Sequence, residues 1–145
     1  VTRTVLCAVD RSPGARDVAL MARRLHEDLG VRVVLAHVAE DGGGEGASDS
    51  VSGRLARTGG ERLLERLTRE AGLDAADRRV EVGQGARLLA RLAAEEGARL
   101  ILVGARRGRL RGLRSELAER LALETTCPVL LVPPAVAERT GPDAA

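Results

Sequence analysis

The chain has 145 residues, 44% of them hydrophobic and 30% charged, with a formal net charge of +2. This is the profile of one soluble globular domain, and it excludes a disordered chain, a membrane-spanning chain and a bulk DNA binder. Phe, Tyr and Trp are absent, which excludes the aromatic stacking platforms of single-stranded nucleic-acid binders and leaves the core to Leu, Val and Ala.

Residues 4–9 form a continuous apolar run, the pattern of a strand buried on both faces. Ser12 is placed to cap the next helix and Pro13 to occupy its first position. That helix carries Val18, Met21, Ala22, Leu25 and Leu29 on one stripe and stops at Gly30. Residues 31–38 predict the second strand. Residues 39–52, rich in Gly, Asp, Glu and Ser, predict a flexible loop. A second helix is clearest at Leu63, Leu64, Leu67 and Ala71, with a start blurred by Gly59 and Gly60.

Residues 79–82 predict a short third strand, and residues 86–96 a helix with Leu88, Leu89, Leu92 and Ala93 inward, ended by Gly97. Residues 100–103 predict the fourth strand, residues 115–125 the fourth helix, and Val129–Val132 the fifth strand, stopped by Pro133 and Pro134. Residues 1–134 thus read as one domain and residues 135–145 as an exposed tail. The chain opens on a strand-like run with no leader pattern, and Cys7 and Cys127 suit neither a disulfide framework nor a zinc site. A reducing, cytoplasmic setting is the expectation.

Strands alternating with helices imply an α/β, Rossmann-like fold: a five-stranded parallel sheet with helices on both faces. Ligands of such sheets bind beyond the carboxyl ends of the strands, where strand order reverses. Attention therefore falls on Asp10, on Val38 and on the segment from Gly104 onward. A P-loop is excluded because no lysine occurs, all 23 basic residues being arginine. A phospho-acceptor receiver domain lacks its acidic cluster and its lysine. Gly83-Gln84-Gly85 follows the third strand, not the first, and Leu88 stands where a dinucleotide fingerprint has its third glycine; tight-turn geometry is the simpler reading. His26, His37 and the two cysteines form no nucleophile–base set, so no catalytic residue and no metal site is assigned.

Four segments carry a resemblance: Val9-Asp10-Arg11-Ser12, His37-Val38, Leu100-Ile101-Leu102-Val103-Gly104, and Cys127-Pro128-Val129-Leu130-Leu131-Val132-Pro133. Together, with Gly85 opening the third helix, they resemble the universal stress protein family over residues 3–134. The resemblance implies the adenine nucleotide alpha hydrolase-like sheet of order 3-2-1-4-5. It also implies a homodimer joined through Val129, Leu130, Leu131 and Val132, and in many members an ATP site, with magnesium only where ATP binds. In such a site Val9, Asp10 and Val38 face the adenosine, and Val103, Gly104, Gly108 and Ser115 lie along the phosphate loop.

That loop departs from the family pattern Gly-x2-Gly-x9-Gly-Ser/Thr. Arg107 stands three residues after Gly104, with Gly108 one position late. Ser115-Glu116 occupies the place of Gly-Ser/Thr only eleven positions after Gly104, two fewer than the pattern. Glu116 sets a carboxylate in the first turn of the fourth helix, where it opposes a phosphate; equally, it is a surface residue favoured at a helix start. Arg106, Arg107, Arg109, Arg111 and Arg114 suit anion contacts, with Arg106 and Arg107 as the first candidates, or else a solvated basic loop. The expectation is a regulatory or binding homodimer with a nucleotide-type cleft and weak or absent ATP binding. The alternatives are an ATP-binding, slowly hydrolysing member, an electron-transfer flavoprotein-like subunit, and a module whose arginines grip an acidic protein or polyphosphate. Neither nucleic acid nor a membrane is an expected partner.

Overall fold

Apolar runs too short for helices and too continuous for surface strands become the inner strands of one sheet. The computed structural model describes residues 3–40, 50–107 and 112–134. In chain order the elements are β1 (Thr4–Ala8), α1 (Gly14–Leu29), β2 (Arg32–Ala39), α2 (Val51–Ala71), β3 (Asp77–Val82) and α3 (Gly85–Glu95). These are followed by β4 (Ala98–Gly104), β5 (Arg106–Arg107), β6 (Leu113–Arg114), α4 (Glu116–Glu124) and β7 (Val129–Val132).

Five strands pair in the order β3-β2-β1-β4-β7, every pairing parallel. The expected sheet is therefore present. Its expected fifth strand is seventh in the chain because β5 and β6 intervene as a separate antiparallel ladder. Side chains alternate across the sheet as the two-residue strand period demands. Val5, Cys7, Val33, Leu35 and Leu102 pack against α1 and α2, through Val18, Ala22, Leu64 and Leu67. Leu6, Ala8, Val34, Ala36, Ile101 and Val103 face α3 and α4, through Leu89, Leu92 and Leu121. The described core is built from aliphatic side chains and the Cys7 thiol, which burial pushes far above the usual thiol range.

Two helix starts differ from expectation. Ser12 does not cap α1: the Pro13 position precedes the helix without a side-chain cap, and the Ser12 hydroxyl turns back to Asp10. α2 runs unbroken through Gly59 and Gly60 and begins at Val51, where Ser50 accepts the Gly53 N–H at 2.9 Å. The predicted loop therefore shrinks at both ends, since β2 reaches Ala39; residues 41–49 and the tail 135–145 lie outside the described residues. Gly30 and Gly72 close α1 and α2 with φ of 67° and 69°, the left-handed turn that favours glycine.

The amino ends of the strands are tied by charge. Arg32 bridges Asp77 at 2.7 Å and Glu96 at 2.9 Å, while Arg79 meets Glu96 at 2.7 Å and Glu95 at 2.9 Å. Hydrogen bonds from Arg79, and then from Arg32, hold the Glu96 carboxyl below the usual carboxylate range, against the opposing effect of its partial burial. A carboxyl held low in the fold adds stability above its unfolded pKa, and that stability fades as pH falls through the folded value. This network stands at the end of the sheet opposite the site described next, and it is structural.

Candidate functional site

The carboxyl ends of β1 and β2 and the first turns of α3 and α4 enclose a cleft of about 650 Å³. Val9, Val38, Ala86 and Leu89 give it an apolar floor, and Asp10, Ser12, Glu40, Glu116 and Arg120 give it polar walls. This is the switch point of the sheet, because β1 has β2 on one side and β4 on the other, and the connections leave in opposite directions.

The floor is held by two bonds between neighbouring strands. The Val9 N–H donates to the Ala36 carbonyl at 2.9 Å, and His37 Nδ1 lies 2.8 Å from the Val9 carbonyl oxygen. His37 is buried, so it fixes the β1 end relative to β2. His26 likewise bonds the Val31 carbonyl at 2.8 Å across the end of α1. Asp10 is exposed, and its Oδ1 accepts the Ser12 N–H at 2.8 Å and the Ser12 hydroxyl. One oxygen of Asp10 thus holds the turn into α1, and the other has no hydrogen bond among the described residues.

The amino ends of α3 and α4 border the cleft, and each has a carboxylate beside it. At α4, Ser115 caps the helix by accepting the Ala118 N–H at 3.1 Å. Glu116 in the same turn pairs with Arg106 at 3.2 Å, the two side chains being 70% and 75% exposed. At α3, Gln84 gives no side-chain cap; instead Glu40, from the end of β2, accepts the Gly85 N–H at 3.0 Å. Gly85 makes room for this, since a Cβ there would stand 2.9 Å from Glu40 Oε1. Glu40 falls within the loop predicted over residues 39–52, and nothing in the sequence sets it apart. The β2–β3 register, Ala39 opposite Val82, is what brings it to α3.

The expected site residues divide. Val9, Asp10, Val38 and Glu116 line the cleft together, whereas Val103, Gly104, Ser115 and Arg106 are not among its lining residues. Gly104 closes β4 against the start of α1, where an added Cβ would stand 3.1 Å from the Gly14 carbonyl oxygen. Its lack of a side chain therefore serves packing. On either side of residues 108–111, Arg106 pairs with Arg114 and Arg107 with Leu113 in an antiparallel ladder. Gly108, Arg109 and Arg111 lie outside the described residues. Among the described residues no cluster of His, Cys, Asp or Glu could hold a metal ion, and no helix is long and apolar enough to cross a membrane.

The family model described as "Universal stress protein family" matches residues 2–133. The chain belongs to the universal stress protein family. A member from Burkholderia pseudomallei is 28% identical over 90% of this chain and 95% of its own, with a TM-score of 0.66. A universal stress protein from Archaeoglobus fulgidus, solved in complex with dAMP, is 19% identical over 91% of this chain and 98% of its own, with a TM-score of 0.63. Another, solved in complex with cAMP, is 19% identical over 90% and 95%, with a TM-score of 0.61. At 19% identity these two show the fold alone. No curated protein matches the chain.

Proposed function

We propose that this universal stress protein is a regulatory binding protein whose cleft takes the nucleoside half of an adenine nucleotide and holds ATP weakly or not at all. The carrying observation is that the α3 and α4 amino ends at the cleft already have carboxylates beside them, Glu40 on the Gly85 N–H and Glu116 beside Arg106. A helix start is the natural seat of a phosphate. Here each such seat offers negative charge, so a polyphosphate meets repulsion where other proteins supply attraction. The apolar floor of Val9, Val38, Ala86 and Leu89 suits a flat base, and relatives of the same fold were solved with dAMP and cAMP. Magnesium would enter only with a bound polyphosphate. Calorimetric titration of the wild-type protein with adenosine and with magnesium-ATP tests the reading; adenosine should bind more tightly.

The same reading makes the protein a homodimer through β7. Of the two sheet edges, β3 is guarded: Arg78, Arg79 and Glu81 charge it, and Arg57 Nη1 donates to its Val80 carbonyl at 2.6 Å. The other edge is the uncharged Val129-Leu130-Leu131-Val132, with Leu130 at 42% exposure and, on the neighbouring α4, Leu123 at 88%. A bare apolar edge invites pairing with another strand, and a two-fold axis lets each copy cover the other. Light scattering should report a dimer for the wild type and a monomer for Leu131→Glu; a variant that stays dimeric contradicts the interface. The two unpaired cysteines, Cys7 and Cys127, fit a cytoplasmic setting.

A further inference from the structure

We infer that the outer face of α2 is a docking groove for inorganic polyphosphate, a flexible chain with negative charge on every unit. The groove is separate from the nucleotide-type cleft, and Arg11 is the one residue that lines both.

α2 buries Leu63, Leu64 and Leu67 and leaves Arg62, Arg66 and Arg69 exposed. Spacings of four and then three residues put these arginines on one face of the helix, in a row of roughly 10 Å from first to last. Arg11, just beyond the end of β1, reaches the head of this row. Its Nη2 lies over Gly59, 2.7 Å from where a Cβ would stand. The four arginines line a groove of about 450 Å³ in which Glu65 is the one acid among the described residues. Arg11, Arg62 and Arg69 form no ion pair among the described residues, and Arg66 has only a 3.9 Å contact with the exposed Glu70. The helix backbone sets the row, so positive charge follows this face whichever rotamers the exposed side chains adopt.

Like charges three and four residues apart on a helix repel. A bound polyanion replaces that repulsion with attraction at all four positions, and guanidinium forks match phosphate oxygens in pairs. The groove also narrows the class of anion. A row of roughly 10 Å is too long for one small anion to engage every arginine, and it suits a chain laid along the helix. Between the arginines lie only Gly59 and the buried Leu63, so a protein partner would find no apolar centre to anchor on. An acidic peptide also carries its charges on flexible side chains, which binding must order. Magnesium-ATP, short and partly neutralised by its metal, meets only part of the row.

The test is calorimetric titration of the full chain with long-chain sodium polyphosphate and with poly-L-glutamate of similar length, at low and at physiological ionic strength. The expected result is polyphosphate binding that weakens as salt rises and is roughly tenfold tighter than that of poly-L-glutamate. In the double variant Arg62→Gln, Arg69→Gln, polyphosphate affinity should fall about tenfold at an unchanged thermal midpoint. A charge-matched control, Arg24→Gln with Arg99→Gln, should keep the wild-type affinity, because both residues are exposed and lie outside the groove. Equal losses in the two variants would reduce the effect to net charge and overturn the inference. Poly-L-glutamate binding as tightly as polyphosphate would overturn it too, by making the groove a seat for acidic protein segments, as would the lack of any polyphosphate binding at low salt. The wild-type comparison of the two polyanions needs no variant and stands even where a substitution disturbs folding. Adenosine titration decides the cleft reading separately, since none of the replaced arginines lines the cleft.

Discussion

Replacing Glu116 with serine is expected to strengthen magnesium-ATP binding by roughly tenfold while changing adenosine affinity less than twofold, as read by calorimetry. Two changes act in the same direction. The substitution removes a negative charge from the first turn of α4, and it frees Arg106, which now spends its guanidinium on that carboxylate at 3.2 Å. Both side chains are largely exposed, so the repulsion sits near the water-like limit of about 1 kcal/mol for unit charges at 4 Å. The freed arginine supplies a further contact of similar size. Ser115 remains the cap of α4, accepting the Ala118 N–H, so the helix should lose only the small favourable effect of an acid in its first turn. An ATP affinity unmoved by the substitution would remove Glu116 as the cause of exclusion.

Gly59→Ala and Gly60→Ala, adjacent in one helix, should change stability in opposite directions. Either substitution removes glycine from a helix interior, which by itself favours the fold by roughly 0.5 to 1 kcal/mol. At Gly59 the new Cβ would meet only the tip of Arg11, whose Nη2 stands 2.7 Å away and can swing into solvent. At Gly60 it would stand 2.8 Å from Val80 Cγ1 and 2.9 Å from His37 Cδ2. Val80 is stiff about χ1, and His37 is buried and bonded to the Val9 carbonyl, so neither can give way cheaply. Overpacking of this kind costs about 1 to 3 kcal/mol. Denaturant melts should show Gly59→Ala at or above the wild-type midpoint and Gly60→Ala clearly below it. The displaced His37 would also disturb the cleft floor, which links this packing site to the functional one.

The pattern of apolar runs made the sheet and the helix order legible, because a strand buried on both faces needs an unbroken run such as 4–9 and nothing else in the chain competes for it. Gly30 announced its helix end for the same local reason. What depended on contact between distant segments did not show. Gly59 and Gly60 blurred the start of the second helix, yet Gly60 is what allows α2 to lie close on His37 and Val80. That Gly104 lies close against Gly14 likewise depends on contact between distant segments. Ser12 had the right type and position for a cap, but Asp10 two residues earlier captures its hydroxyl. Glu116 was visible because it breaks a spaced motif, whereas Glu40 was not, because its role comes only from the register between β2 and β3.

The measurement that bears most directly on the central claim is the paired titration of wild-type protein with adenosine and magnesium-ATP at one ionic strength. A cleft with an apolar floor and carboxylates beside the α3 and α4 amino ends should bind adenosine measurably and magnesium-ATP more weakly, with the gap narrowing as salt screens the repulsion. Magnesium-ATP binding that is tighter than adenosine, and weakened by salt, would contradict the account.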